Sequence, residues 1–354
     1  MLSIIKPNDK YHCDYGQGSR LLEPEHEYII NSNWAKELGL NSTPIVVDNY
    51  KLDIDLSNKR LLFIRAIGGG DLLFLSPMIQ VIKDKYPSCK IGFTCIKEQH
   101  GILELIPGID EIIQYPITRT EFDNFDHYFQ VAQTIEGNRE NQHRNVYEVY
   151  AETLGLLNPG PEQFRPTIKD CFSSSTKDDT LIGIHPFAND PIRKLNPSII
   201  KGLCNSLHKS GYTPIIIGTE AEKKNHLLLN MFDWSCDRYR DYVDLCKLIY
   251  KCKSVIVTDS MIMHLAQAIG TPTVSIHGPF SAECRVKYYQ NISVIDSNPE
   301  CRCFMHQYGK CRRGFPEPIC LRFNIDTVVN LAIGSVDNVL TPTIYAPEIE
   351  QYGM

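Results

Sequence analysis

The sequence predicts an α/β protein made of two Rossmann-like domains that face a cleft, with a small N-terminal extension. Three observations carry this prediction. The 354 residues exceed what one ordinary hydrophobic core uses. Apolar segments typical of strands alternate with helical segments in two blocks, an order typical of parallel sheets covered by helices. A segment rich in proline, serine and charge, residues 158–179, separates the two blocks.

Composition narrows the class of protein. Hydrophobic residues make up 43% and charged residues 22% of the chain, as in globular proteins. The 36 basic and 42 acidic residues give a net charge of −6, which argues against a wholly basic nucleic-acid-binding protein but permits a local basic patch. The 13 cysteines are odd in number and lie mostly in apolar runs, which indicates reduced thiols and a cytoplasmic location. No apolar run approaches the ~20 residues that cross a bilayer, so we expect no membrane span.

The N-terminal extension is assigned to residues 1–60 and the first Rossmann-like domain to residues 61–165. This domain opens with the apolar strand "LLFIRAI", residues 61–67. Ser76 and Pro77 form a typical N-cap and first-turn pair, so we expect the first helix to begin there. Further strands are expected at 89–96 and 111–116, and a helix at 145–156.

The second Rossmann-like domain is assigned to residues 180–335, and a C-terminal tail to residues 336–354. Asn196 as N-cap, Pro197 in the first turn and Gly211 beyond the end define a helix in this domain. Strands are expected at 180–186, 212–218, 254–259 and 271–278, with a helix at 260–270.

Three glycines, Gly68, Gly69 and Gly70, follow the first strand. A dinucleotide fingerprint needs a further glycine where this chain has Leu73, and the Asp71 carboxylate would repel a pyrophosphate, so the loop argues against a dehydrogenase. We interpret the glycines as room for an acceptor beside the backbone, and Asp71 as a lone general base that points into the cleft. The alternative is that Asp71 only caps the helix.

His185, Arg193 and Lys194 lie between the end of a strand and a capped helix. Two cations beside a helix N-terminus suit a diphosphate, because charge and unpaired N–H groups act together there. The alternative is an exposed basic pair of no function.

Thr258, Asp259 and Ser260 lie where a strand passes into a helix. This is the carboxyl edge of a parallel sheet, where ligands of open α/β sheets bind. His264 follows Ser260 by four residues and shares its helix face. Asp259 would accept hydrogen bonds from sugar hydroxyls, and Ser260 with the helix N-terminus would bind a phosphate. The alternative is a capped helix with a buried histidine.

Four cysteines, Cys301, Cys303, Cys311 and Cys320, lie close together near the end of the second domain. Four thiolates would suit a tetrahedral metal site, although the first pair has the spacing C-x-C and not the usual C-x-x-C. Four reduced thiols in a loop are the alternative.

Three segments, in chain order, carry a resemblance to a known family: "IRAIGGGDLLFLSPMIQVIKDKYP", "GIHPFANDPIRKLNP" and "VTDSMIMHLAQAIGTPTVSIHGP". The first is similar to the Gly-Gly-x-Gly-Asp loop and first helix of glycosyltransferase family nine, the heptosyltransferase family. The second is similar to its His-Pro-Gly-Ala-Ser segment, and the third to its Asn-Asp-Thr-Gly-x-Met-His-Leu-Ala segment. The resemblance runs from about residue 61 to about residue 335 and implies the two-domain B-type glycosyltransferase fold.

The resemblance implies an inverting transferase that uses a nucleotide-activated sugar, usually ADP-heptose. It implies that Asp71 is the catalytic base and that Lys194 contacts the donor phosphates. It also implies that Asp259, Ser260 and His264 surround the donor. Lys194 and the helix N-termini would supply the countercharge for the departing diphosphate, so we expect a metal-independent reaction.

Further partners follow from the same resemblance. Glu222, in "GTEAEKK", matches a family acid that contacts the donor ribose. No cofactor is expected for catalysis, but the four cysteines would hold a structural iron or zinc ion, since cysteines of this region hold iron in the autotransporter-modifying branch.

The acceptor would be lipopolysaccharide, a protein or a nucleic-acid base. Alternative functions are transfer from a UDP or GDP donor, an NAD-dependent oxidoreductase, and a silent nucleotide-sugar-binding module.

Overall fold

The computed structural model describes residues 2–14, 19–45, 54–135, 138, 140–156, 160–237, 239–296, 311, 319–334 and 343–345. The chain divides into two compact units, Met1–Gln163 and Phe164–Met354, here called unit 1 and unit 2. Each unit contains a parallel sheet with helices, which confirms the predicted α/β class.

Unit 1 is built from short strands and helices. Its strands are β1 (Leu2–Ile5), β2 (Tyr11–Asp14), β3 (Ser19–Leu22), β4 (Tyr28–Asn31), β5 (Ser42–Ile45), β6 (Arg60–Ile64), β7 (Lys90–Cys95), β8 (Glu111–Gln114), β9 (Ile117–Thr118) and β10 (His127–Gln130). Its helices are α1 (Ser32–Glu37), α2 (Gly69–Lys85), α3 (His100–Leu105), α4 (Arg119–Phe122), α5 (Val131–Ile135) and α6 (Val146–Thr153). Short 3₁₀ helices cover Lys97–Gln99, Asn141–His143 and Pro161–Gln163.

A four-stranded parallel sheet with the order β10-β6-β7-β8 forms the Rossmann-like part of unit 1. Phe63 of β6 stacks on Phe93 of β7 and meets Phe129 of β10 edge-on. These three residues are also register partners, so aromatic pairs align the central strands on one face.

The N-terminal residues belong to the same unit. The strand order β5-β1-β4-β9 makes an antiparallel sheet, and β9 follows β8 in the chain. Buried Ile29 and Ile30 of β4 share one apolar cluster with Leu62 and Ile64 of β6. The expected extension is therefore packed onto the parallel sheet by a common core.

The first helix of the parallel-sheet part begins earlier than predicted. α2 starts at Gly69, so Ser76 and Pro77 lie in its interior, and the predicted start at Ser76 is wrong. Pro77 has no N–H to donate to the Leu73 carbonyl four residues before it, and Ser76 Oγ donates to that oxygen instead, at 2.7 Å. The buried helix accommodates the proline because this hydroxyl replaces the missing donor.

Unit 2 holds the larger parallel sheet. Its strands are β11 (Asp178–His185), β12 (Thr213–Ile216), β13 (Asp233–Trp234), β14 (Cys252–Thr258), β15 (Thr273–His277), β16 (Ile292–Asp296) and β17 (Thr343–Tyr345). Its helices are α7 (Pro197–Lys209), α8 (Glu220–Asn225), α9 (Tyr242–Lys251), α10 (Met261–Ile269), α11 (Glu283–Val286) and α12 (Ile325–Ile333). Short 3₁₀ helices cover Pro191–Arg193, Leu227–Leu229, Ser235–Asp237 and Ile319–Leu321.

The seven strands of this sheet run parallel in the order β13-β12-β11-β14-β15-β16-β17. The helices at 197–209 and 261–269 confirm the predicted ones, and Asn196 caps the former by accepting from the backbone of Ser198 at 2.7 Å. Because β11, β14 and β15 are neighbours, their carboxyl ends bring His185, Thr258 and His277 to one edge of the sheet.

Candidate active site

The glycine loop of unit 1 turns the chain from β6 into α2. Gly68 is the N-cap residue of α2, and its φ of 105° is one that residues with a Cβ rarely adopt. A Cβ on Gly68 would lie 2.5 Å from Asp71 Oδ2, so a larger residue here would require this carboxylate to shift. Gly69 and Gly70 form the first turn of α2 together with Asp71. Gly68, and not Asp71, is therefore the N-cap residue of α2, so the alternative that Asp71 only caps this helix is wrong.

Asp71 is paired with an arginine that the sequence analysis did not single out. Arg65 directly follows β6, and its Nη2 donates to Asp71 Oδ2 at 2.7 Å. Its Nε donates to the carbonyl of Ile67 at 2.8 Å. The Arg65 side chain is 8% exposed and that of Asp71 28%. The expectation of a lone acid is therefore wrong: a buried guanidinium holds one carboxylate oxygen, and Oδ1 makes no hydrogen bond to any described residue.

The two basic residues predicted for the donor behave differently. Arg193 ends a 3₁₀ helix, and its Nη1 donates to the carbonyl oxygen of Asp259 at 2.9 Å and to Asp259 Oδ2 at 3.3 Å. Arg193 Nε is buried and has no hydrogen-bond partner among the described residues. Lys194 is half-buried, and its ammonium group contacts no charged partner in the described ranges. Arg193 is thus fixed inside unit 2, whereas Lys194 remains available to a ligand.

Asp259 lies at the centre of a buried charge cluster at the start of α10. A second guanidinium, that of Arg285, approaches Asp259 Oδ2 with its Nε at 3.9 Å. Burial alone would raise the pKa of Asp259, but Arg193 and Arg285 outweigh it and hold that pKa well below its usual value. Both guanidinium groups also lie over the Phe280 ring, each 5.4 Å from its centroid. Arginine side chains therefore engage Oδ2 of Asp259, the residue that was predicted to accept hydrogen bonds from sugar hydroxyls.

The other residues predicted around α10 fall into two groups. Ser260 is the N-cap residue of α10, yet its Oγ caps no backbone group and is buried without a partner in the described part of the chain. His264 is buried, and its Nδ1 lies 2.5 Å from the hydroxyl of Tyr289. Thr258 Oγ1 donates to the carbonyl of Phe187 at 3.0 Å and so joins the ends of two strands. Ser260 keeps a polar atom for a ligand, whereas His264 and Thr258 are engaged within the protein.

His185 and Glu222 also have partners inside unit 2. His185 Nδ1 lies 2.8 Å from the carbonyl oxygen of Ile217, and burial lowers the pKa of this imidazole. Glu222 forms a capping box with Thr219: its Oε2 accepts from the Thr219 N–H at 2.8 Å and from Thr219 Oγ1 at 3.0 Å. His185 and Glu222 therefore each have a structural role in unit 2. Contact of either residue with the donor stays a prediction.

The predicted cysteine site is described only in part. Cys301 and Cys303 lie outside the described residues, Cys311 is half-buried and Cys320 is buried. A Cβ on Gly278, in the turn after β15, would lie 3.0 Å from Cys320 Sγ. Cys320 therefore packs closely against the loop that carries Phe280.

A known protein family matches the segment that contains Asp259 and Arg285, two of the three residues of this charge cluster. Residues 241–309 match the family model described as glycosyltransferase family 9 (heptosyltransferase). The matched range includes Asp259, Ser260, His264 and Arg285. No curated protein sequence matches the chain.

Solved structures resemble the fold. The iron-containing dodecameric glycosyltransferase TibC from enterotoxigenic E. coli H10407 is 16% identical, with a TM-score of 0.59, over 94% of this chain and 90% of that chain. A family 9 glycosyl transferase from Veillonella parvula DSM 2008 is 16% identical, with a TM-score of 0.52, over 68% and 86%. The E. coli ADP-heptose lps heptosyltransferase II is 17% identical, with a TM-score of 0.51, over 67% and 89%. At these identities the likeness is one of fold.

None of the helices in the described part of the chain combines the length and apolarity that crossing a bilayer requires.

Sequence reasoning missed Arg65 and Arg285. A signal existed for Arg65, because a charged residue that ends an apolar strand is placed at the carboxyl edge of a sheet. No comparable signal marks Arg285, which meets Asp259 only through the folding of β15 and α11. The comparisons confirm the predicted resemblance to glycosyltransferase family nine and the predicted B-type fold.

Proposed function

We propose that this chain transfers a sugar from a nucleotide-activated donor to a hydroxyl acceptor, with inversion at the anomeric carbon. The observation that carries the proposal is the charge cluster at the start of α10, of which Asp259 and Arg285 lie within the segment matched to family 9. The donor is assigned to unit 2 and the acceptor, with the catalytic base Asp71, to unit 1.

The cluster has the charge and the donors that a diphosphate needs. Two guanidinium groups, Arg193 and Arg285, share one carboxylate, Asp259, at the start of α10. Lys194 and the N–H groups at the start of α10 add to the positive potential. Ser260 Oγ and Arg193 Nε, which have no partner among the residues that the structure describes, are hydrogen-bond donors that a phosphate oxygen would satisfy. In this role Asp259 orients the two arginines and does not itself bind the sugar.

ADP-heptose is the first donor to test. TibC, which has been solved in complex with ADP-D-beta-D-heptose, resembles this chain with a TM-score of 0.55 at 13% identity, over 94% of this chain and 87% of that chain. The match to a heptosyltransferase family model points to the same donor class. The candidate acceptors are lipopolysaccharide, a protein side chain and a nucleic-acid base.

The reaction follows from the roles of these groups. The acceptor oxygen forms a bond to the anomeric carbon as the bond from that carbon to the diphosphate oxygen breaks, and the electron pair leaves with the diphosphate. The acceptor proton passes to the Asp71 carboxylate, help that is typically worth about 10²–10⁴ in rate. The arginines, Lys194 and the α10 N-terminus neutralise the departing charge.

Because these cations supply the countercharge, we propose that transfer needs no divalent metal ion. Turnover of the preferred nucleotide sugar should persist in excess EDTA and should not rise when Mg²⁺ or Mn²⁺ is added. Loss of turnover on chelation, with recovery on adding Mg²⁺, would overturn this part of the proposal.

A structural metal is a separate proposal. Cys301, Cys303, Cys311 and Cys320 offer four soft thiolate ligands, a set suited to iron or zinc. Metal analysis of the purified protein should find close to one such ion per chain, and Cys311→Ser should lower that content. An unchanged metal content in the Cys311 variant would exclude it as a ligand.

The central experiment separates donor binding from transfer. Thermal unfolding is measured with ADP-, UDP-, GDP- and CDP-sugars, because a ligand that binds only the folded state raises its stability. Asp71→Asn should bind the selected donor as the wild type does, yet lose transfer by about 100-fold or more. Asp123→Asn, an exposed acid of unit 1 paired with Arg119, is the matched control and should transfer normally. Stabilisation by no nucleotide sugar would refute the function, and normal transfer by Asp71→Asn would refute the base.

A further inference from the structure

The Arg65 side chain is held by two hydrogen bonds on one side of the glycine loop. Its Nη2 donates to Asp71 Oδ2 at 2.7 Å, and its Nε donates to the Ile67 carbonyl at 2.8 Å. Since both donors belong to one planar group, the guanidinium fixes the carboxylate and the loop backbone relative to each other.

The backbone beside Arg65 is anchored to the neighbouring strand. The Arg65 N–H donates to the Thr94 carbonyl at 3.1 Å, and the Ile96 N–H donates to the Ala66 carbonyl at 2.9 Å. These bonds extend the β6–β7 ladder past the end of β6, so the guanidinium projects from a rigid base. These two bonds to β7 end at Ala66, so Ile67 and Gly68 form the turn that leads into α2 at Gly69.

Gly68 completes the arrangement. Its absent Cβ would lie 2.5 Å from Asp71 Oδ2 and 3.1 Å from Arg65 Nη2, so the glycine leaves room for the ion pair itself. A methyl group at this position would strain the backbone and require the carboxylate to move from its present place. The loop is thus shaped around the contact between Arg65 and Asp71.

The ion pair leaves the carboxylate usable. Arg65 is 8% exposed, whereas Asp71 is 28% exposed and its Oδ1 has no hydrogen-bond partner among the described residues. Fixing Oδ2 sets the direction in which Oδ1 points, and orientation of this kind governs the rate of proton transfer.

We propose that Arg65 is the positioning residue of the catalytic base: its guanidinium holds Asp71 Oδ2 so that Oδ1 is presented to the acceptor hydroxyl. This inference rests on the proposed function, in which Asp71 accepts the acceptor proton. Arg65 itself touches neither the donor nor the reacting atoms in this proposal, so its loss acts on turnover and not on donor binding.

Steady-state transfer by Arg65→Ala, Arg65→Lys and Gly68→Ala tests the proposal, with ADP binding measured in parallel. Arg65→Ala should lower kcat by about 100-fold, the scale of a 1 Å misplacement, while the donor KM and ADP affinity stay within twofold. Guanidinium chloride at non-denaturing concentration should restore part of the turnover of Arg65→Ala. Arg65→Lys should be intermediate, because an ammonium replaces the charge but not the two-point fork.

Two further variants keep the test decisive. Gly68→Ala retains both charges but displaces the carboxylate, so it should lose kcat even if Arg65→Ala fails to fold. Arg60→Lys alters an exposed arginine at the start of the same strand, paired with Glu111, and should transfer normally. Wild-type kcat in Arg65→Ala or Gly68→Ala, or a folded Arg65→Ala that guanidinium does not rescue, would overturn the proposal.

The Asp71 variant distinguishes failure of this inference from failure of the function. If Asp71→Asn is inactive while Arg65→Ala is normal, only the positioning role of Arg65 is lost. If Asp71→Asn transfers normally, the proposed base is wrong and the inference about Arg65 is refuted with it.

Discussion

Replacing Asp259 by asparagine tests the energetics of the charge cluster in unit 2. The change removes the negative charge from a side chain that is 6% exposed and leaves two guanidinium groups facing each other. At an effective dielectric constant of about 20, Coulomb's law gives roughly 5 kcal/mol for the 3.3 Å contact and roughly 4 kcal/mol for the 3.9 Å contact. Desolvation of the carboxylate opposes this gain by several kcal/mol, and breaking a buried pair typically costs about 3–5 kcal/mol. Because asparagine can still accept hydrogen bonds, we expect a loss of about 3 kcal/mol.

Urea unfolding followed by tryptophan fluorescence measures this loss. The chain has 2 tryptophans, and in a Trp34→Phe background the buried Trp234 reports unit 2 alone. Asp237→Asn is the matched control, since its pair with Lys223 is more exposed and should cost at most about 1 kcal/mol. If Asp259→Asn costs no more than Asp237→Asn, the buried carboxylate does not hold the two arginines together.

Acid and ligand responses give two further signatures of the same change. The folded-state pKa of Asp259 lies below its unfolded value of about 3.9, so the unfolded chain takes up the proton first on acidification. The stability that Asp259 contributes is therefore complete above about pH 4 and is lost as the pH falls towards the folded-state pKa; Asp259→Asn should lack this loss.

ADP should stabilise Asp259→Asn more than the wild type, because the diphosphate replaces the missing counter-charge. Equal stabilisation of the two proteins would show that the arginines do not face the phosphates.

Two other substitutions have defined outcomes. Lys194→Ala should weaken donor binding about 10-fold or more with little change in stability, because it removes one charge-assisted hydrogen bond. Calorimetric titration with ADP measures this loss of affinity. An unchanged affinity would contradict the assignment of Lys194 to the donor phosphates. Ser76→Ala should lower the free energy of unfolding by about 1–3 kcal/mol, measured by thermal unfolding, because the Leu73 carbonyl that Pro77 cannot satisfy loses its donor. A change near zero would mean that the Ser76 hydroxyl is dispensable.

The helices of unit 2 could be predicted because their signals are local. Asn196 caps α7 through its own side chain, and Pro197 occupies the first turn, so a few adjacent residues determine where the helix begins. The start of α2 was mispredicted for the opposite reason. Ser76 and Pro77 carry the same local signal, but burial of Leu72 to Leu75 extends the helix backwards to Gly69, and packing overrides the cap preference.

The residues of the candidate site were predictable, but their partners were not. Asp71 and Asp259 were singled out because each stands at the junction of a strand and a helix, a position that sequence periodicity reveals. Their pairing with Arg65 and Arg285 depends on side-chain direction and on the turn after β15, neither of which has a sequence period. Composition likewise could not show that Arg193 points inward while Lys194, its neighbour, contacts no described charge.

The two ion-paired aspartates can be given different roles on physical grounds alone. Asp259 is 6% exposed and two guanidinium groups contact its Oδ2, so a proton on this carboxyl group would remove the negative charge that balances buried cations, which makes it unsuitable as a base. Asp71 is 28% exposed and contacts one guanidinium through Oδ2, while its Oδ1 has no hydrogen-bond partner in the described part of the chain, so it can accept a proton without breaking its contact with Arg65. In the proposed function, the same pair of residue types is therefore assigned two roles: an anchor for cations in unit 2 and an oriented base in unit 1. Burial, and the number of arginines at each carboxylate, decide between these two roles.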